Sequence, residues 1–204
     1  MEMVAFLVQF PLFMFAVTLH EVSHGWVALR LGDATARMAG RLTLNPLKHI
    51  DPVGTLILPI FLLWVHSPFV IGWAKPVPIN PLNLRRPKQD MFWVGAAGPV
   101  SNFSFALVVS LLVRAFGGAL PPLVTSMAIY LITINLLLGT FNLLPIPPLD
   151  GSRVLVGILP PEPARFLLRL ERWGILLMVL LLSTGFIDRV IWPVVAMLGR
   201  VLGL

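Results

Sequence analysis

The chain contains no cysteine, so it can form no disulfide and offers no thiolate to a metal; any zinc site has to be built from His, Asp or Glu. Charge is scarce too. Only 12% of the 204 residues are charged, nine of them acidic, and there is a single tyrosine. With 57% of residues hydrophobic and a mean hydropathy of +0.90, too little polar surface remains to cover a water-soluble body of this size. The net charge of +6 is modest and its basic residues flank apolar runs, so it points to a membrane surface and not to nucleic acid. Nothing at the N-terminus reads as a cleavable leader, because the first apolar segment itself carries the polar motif described below.

What is present is a succession of apolar runs. Residues 3–31 are long enough to cross a bilayer at roughly 20 residues per crossing, and residues 92–116 and 123–144 form two more full-length segments. Residues 173–186 and 190–204 are shorter apolar segments, and 52–65 is shorter still. Residues 67–89 hold five prolines, Pro68, Pro76, Pro78, Pro81 and Pro87, and are therefore extended. The alternating stretch 39–46, ending in Asn45-Pro46, reads as a short strand. Arg165, Arg169 and Arg172 share a helical face over 163–172, an interfacial pattern. The expected fold is an all-α polytopic membrane protein in one domain, 1–204. It would be a helical bundle of about five transmembrane helices plus a re-entrant segment and short β-strands at the cytoplasmic side.

The chemistry lies in His20-Glu21-Val22-Ser23-His24-Gly25. Residues four apart on a helix share a face about 6 Å apart along the axis, so His20 and His24 can aim at one metal ion with Glu21 beside them. In a soluble chain such a match is often only an exposed helical face. Here its flanks run from Phe13 to Leu19 and from Trp26 to Leu29, where solvation is absent and ionisable side chains are costly unless used. A catalytic zinc site takes a third protein ligand. Of the other acidic residues Asp150 is best placed, after the proline-broken stretch 142–149, although a carboxylate at a helix end facing water remains the alternative reading. His49 and His66 each stand alone and read as interfacial, and Arg114 reads as a helix cap at the membrane surface.

With these residues in place, the chain resembles the site-2 protease family of intramembrane zinc metalloproteases. The likeness rests on three motifs in the family's order: His20 to Gly25, then Ala97-Gly98-Pro99-Val100-Ser101-Asn102, then Asn142 through Leu149-Asp150-Gly151. The resemblance implies that His20, His24 and Asp150 bind one Zn2+ per chain, that Glu21 is the general base, and that Asn142 handles substrate or the oxyanion. Asn102 is a weaker candidate for the same contact, with helix–helix hydrogen bonding as the alternative for both asparagines. It implies peptide-bond hydrolysis in or near transmembrane segments of membrane proteins at the cell membrane. Neither a PDZ-sized insertion nor a nucleotide-sensing tail is expected. A zinc transporter or an inert zinc-binding homologue are the rival classes; the first would want paired sites along a path, and the second would usually have lost Glu21 or a ligand.

The proposed ligands also constrain topology. Were 52–65 to cross fully, Asp150 would emerge on the face opposite His24, so this run is expected to dip in and return as the extended segment 67–78. That arrangement leaves only Arg114 and Arg189 opposite the other basic residues, in keeping with the positive-inside rule and an outside N-terminus. Finally, a protease must hold its substrate extended. Residues 39–45 are expected to pair on one edge with 73–80 and to offer the other edge, at Leu42 or Thr43, to a substrate strand.

Overall fold

The computed structural model describes residues 2–65 and 72–204. In chain order its helices are α1 (Glu2–Arg30), α2 (Thr35–Met38), α3 (Leu58–Trp64), α4 (Pro87–Phe116), α5 (Pro122–Asn142), α6 (Asp150–Ile158), α7 (Pro161–Leu170), α8 (Gly174–Ser183) and α9 (Trp192–Leu202). Proline opens α4 and α5 at the first helical position, where a missing N–H costs nothing. At the start of α4 the Asp90 carboxylate turns back to accept the Arg86 N–H at 2.8 Å. α1 ends where Gly32 takes a φ of +116°, a conformation that a side chain would strain.

α4 is the central element. Along α1 the partners Ala28, His24, His20 and Phe15 meet Val94, Val94, Asn102 and Phe105, so the two helices run antiparallel. α5 follows α4 after only the five residues 117–121 and packs back along its other side, antiparallel, with Asn102 on Asn135 and the Phe103 ring over Gly139. The buried core is small and lies between α4, α5 and α9, around Ala106, Ile132, Leu136, Ile191 and Val195. Large apolar side chains such as Leu107, Leu111, Leu112, Leu123, Ile129, Leu176 and Leu180 face outward. In water that surface would be a liability; against lipid it is covered.

Three helices, within 7–30, 87–119 and 122–142, are long and apolar enough to cross a membrane, and a fourth span counts if α7–α8 and α9, bent by 70°, are taken as one. The expected count of about five is thereby corrected. α8, with 10 residues, and α9, with 11, lie in the two limbs of that bent pair, and neither helix by itself is long enough to span at about 1.5 Å per residue. The C-terminus of α9 lies against that of α4. There Ser110 Oγ donates to Leu202 O at 2.6 Å, and the Arg114 guanidinium to Leu202 O and Val201 O at 3.1 and 3.3 Å. Arg114 is indeed a helix cap, with Gly203 closing α9 in the left-handed region. The sequence reading grouped Arg200 with the basic residues near Arg30; the packing of Leu202 corrects this and places Arg200 at the Arg114 end of the bundle.

The expected strands are absent among the described residues. Residues 39–45 follow α2 as turns and irregular chain, and 46–49 form a 3-10 turn. Strand pairing needs free N–H groups, and few of those in 73–80 are available. Pro76 and Pro78 have none, the Val77 N–H goes to Glu21 Oε2 at 2.8 Å, and the Asn80 N–H goes to Asp33 Oδ2 at 2.7 Å. Arg41 binds the segments instead, its guanidinium donating to Lys75 O at 2.8 Å, to Pro76 O at 3.3 Å and to Lys48 O. His49 is fully buried, not interfacial, with Nε2 on Thr43 O at 3.0 Å. His66 lies outside the described residues. The chain that enters α3 is back at its own start by Trp73, whose N–H donates to Gly54 O at 3.1 Å and whose carbonyl accepts from Thr55 Oγ1 at 2.8 Å.

Candidate metal centre and active site

α1 supplies His20 and His24 one turn apart, and both imidazoles are buried against α4. Each ring has its outer nitrogen engaged. His20 Nδ1 meets Asn102 Oδ1 at 2.7 Å and His24 Nδ1 meets the Val94 carbonyl at 2.6 Å. An amide oxygen and a peptide carbonyl can only accept, so both Nδ1 atoms carry the hydrogen and both Nε2 atoms present lone pairs. These Nε2 atoms lie 3.0 Å apart, and Asp150 Oδ2 lies 3.0 Å from one and 3.1 Å from the other.

Three lone-pair atoms at that spacing repel one another unless a cation lies among them. The cluster is therefore a fit for a metal ion: zinc holds neutral imidazole and carboxylate ligands, whose atoms stand about 3.3 Å apart in a tetrahedral site. His20, His24 and Asp150 are all buried and form the one such group among the described residues. Two glycines make the approach possible. A Cβ at Gly98 of α4 would lie 2.6 Å from His20 Nε2 and as close to His24 Nε2, in the space the cluster faces. A Cβ at Gly151 would collide with Leu143 O and Leu144 O, so only glycine lets α6 begin hard against the end of α5.

Asp150 opens α6, whose N-terminal dipole favours a carboxylate there, and Arg153 Nη1 stands 3.7 Å from its other oxygen. Glu21 is not a member of the triad. It is half-buried and takes the Val77 N–H on Oε2.

The remaining site candidates are placed as follows. Asn142, at the end of α5, donates one amide hydrogen to Leu138 O at 3.0 Å on its own helix. Asn102 uses its oxygen on His20 and its nitrogen on Asn135 Oδ1, at 2.8 Å. Leu42 packs over Gly25, and Thr43 accepts from His49 through its carbonyl and from Asn45 N through Oγ1. Sequence reasoning missed Asn135 and Val77, and it quoted Gly98 within a motif without seeing its role. Asn135 had a signal, an amide midway along a span-length apolar helix; Val77 acts through its backbone N–H, which leaves none.

The helical bundle and its buried His-His-Asp cluster define a metal-binding helical membrane-type protein. The model of Peptidase family M50 matches residues 119–181. A Bacillus subtilis protein named "Putative zinc metalloprotease YwhC" is 37% identical over 183 residues, 86% of this chain and 80% of the relative. "Putative zinc metalloprotease Rip2" of Mycolicibacterium smegmatis is 33% identical over 85% of this chain and 66% of its own length. "Zinc metalloprotease MJ0392" of Methanocaldococcus jannaschii is 29% identical over 74% of this chain and 34% of its own. No solved structure matches. The chain belongs to peptidase family M50, that of the site-2 proteases.

Proposed function

We propose that this chain is an intramembrane zinc metalloendopeptidase that hydrolyses peptide bonds in or near the transmembrane segments of other membrane proteins, with 1–204 forming one integral-membrane domain. The observation that carries the reading is the convergence of three buried acceptor atoms whose outer partners leave no proton between them. His20, His24 and Asp150 would hold one zinc ion, which when bound supplies Lewis acidity for the scissile carbonyl and acidifies water toward a pKa of about 7.

The residues of the chain do the rest. Glu21 keeps Oε2 on the Val77 N–H, and its other oxygen takes the proton of the attacking water and returns it to the leaving amine nitrogen. Asn142 offers an amide N–H to the carbonyl oxygen as charge develops, a contribution of about 3 kcal/mol. Asn102, with both amide groups engaged, is read as a positioning group and not as a substrate contact.

In this reading the protein is multi-pass in the cell membrane, N-terminus outside, with the site nearer the cytoplasm. The return of Trp73 to Gly54 and Thr55 supports a dip over 52–73 without a crossing. Substrate would enter extended beside Leu42 and Thr43.

The test is paired. Glu21→Gln should retain about one zinc per chain and lose cleavage in detergent by about 10²–10⁴-fold, whereas Asp150→Ala or His24→Ala should lose both metal and cleavage. Full zinc retention in Asp150→Ala would remove that ligand from the assignment.

A further inference from the structure

The two histidines of the centre are held by different means. His24 leans on a backbone carbonyl, which no substitution alters; His20 leans on Asn102, whose own orientation has to be set by something else. An amide can be turned end for end, and with its nitrogen toward His20 it would demand the opposite tautomer, with the lone pair on Nδ1 and the hydrogen on Nε2.

The something else is on α5. Asn135 is fully buried, donates Nδ2–H to Leu131 O at 2.8 Å, and accepts from Asn102 Nδ2 at 2.8 Å. Leu131 O is a peptide carbonyl and can only accept, so Asn135 has to present its nitrogen there and its oxygen to Asn102. Asn102 must then present its nitrogen to Asn135 and its oxygen to His20, so the hydrogen of His20 sits on Nδ1 and the Nε2 lone pair faces His24 and Asp150. The polarity of the chain runs from the α5 backbone to the metal-facing atom without a free choice at any step. Both asparagines are inaccessible to solvent, so no water competes for their groups.

We propose that Asn135 is a positioning residue for the metal centre: through Asn102 it fixes the tautomer and ring orientation of His20 while touching neither metal nor substrate. The inference rests on the zinc reading above. Outer partners of metal-bound histidines set affinity by about 10–100-fold; Asn135 stands one bond further out and its removal should fall at the lower end.

The test compares Asn135→Thr with Asn135→Val, which have the same shape. A threonine hydroxyl can donate to the carbonyl four residues back and accept from Asn102, preserving the polarity of the relay; valine cannot. Zinc affinity is read by chelator competition on the full chain in detergent, and ligand geometry by the visible spectrum after cobalt substitution. Asn135→Val should bind zinc about 10-fold more weakly and show an altered cobalt spectrum, with Asn135→Thr restoring both toward wild type. Combined with Asn102→Leu, Asn135→Val should add nothing, because the path is already cut. Wild-type affinity and spectrum in Asn135→Val, or full additivity with Asn102→Leu, would overturn the relay. Zinc binding by wild type that survives His24→Ala would instead overturn the metal site itself, so the two failures are distinguishable.

Discussion

At His20 and His24 the nitrogens that face away from the cluster decide what the inner ones can do. The i, i+4 spacing is legible in sequence because helical rise and twist fix it; the acceptors Asn102 Oδ1 and Val94 O are on another helix and are not. Gly98 is the sharper case at this scale. Its missing Cβ is the space into which both Nε2 atoms look, so Gly98→Ala should abolish zinc binding, measured as metal content after purification, while the protein still inserts and folds. Retained zinc in that variant would mean the cluster opens away from α4. Val77 offers a second residue-level prediction, since its backbone N–H is the group that holds Glu21. Val77→Pro should cut the cleavage rate about 10-fold or more with metal content unchanged, the range for lost general-base efficiency, and Val77→Ala, which keeps the N–H, should stay near wild type.

Between elements, the loops after α1 are tied by a carboxylate that sequence reading passed over. Asp33 is inaccessible to solvent and accepts from Thr35 N at 3.0 Å, from the Thr35 hydroxyl, from Asn80 N at 2.7 Å and from Asn83 Nδ2 at 2.9 Å. Burial alone would raise its pKa, and these hydrogen bonds together bring it below the ordinary carboxylate value. A folded pKa below the unfolded one means stability that is present above the unfolded pKa and lost as pH falls through the folded one. Asp33→Asn should therefore cost about 2 kcal/mol near neutral pH, the range for a hydrogen-bonded buried charge, and flatten the loss of stability on acidification, both read from thermal unfolding across pH. The same loops show why period-2 alternation misled at 39–45 and 73–80. The pattern says which residues suit a strand, but pairing depends on who takes each N–H, and here two prolines, Glu21 and Asp33 leave little to share.

For the whole molecule, the absence of cysteine allows single reporters to be introduced without background. Cysteines at Arg41, Arg86 and Arg169 should label from the cytoplasm, and one at Gly118 from outside. The packing of Leu202 on Arg114 adds Arg200 to the outside group. Outside labelling at Arg86 would sink the dip over 52–73, and cytoplasmic labelling at Arg200 would separate α9 from the outer end of α4.

The sequence by itself determined the helical class, the three long apolar helices and the His-Glu-x-x-His face, and it singled out Asp150 from the other eight acidic residues as the candidate third ligand. Each follows from local periodicity, from composition or from motif order, which a chain carries before it folds. Only the tertiary structure decided that α8 and α9 are limbs of one bent pair, that Val77 holds Glu21 in place of a strand partner, that Gly98 opens the cluster, and that Asn135 orients His20 from a third helix. Those outcomes depend on which groups meet across helices. Inside an apolar bundle most buried donors find an acceptor, and which one is settled by packing and not by spacing along the chain.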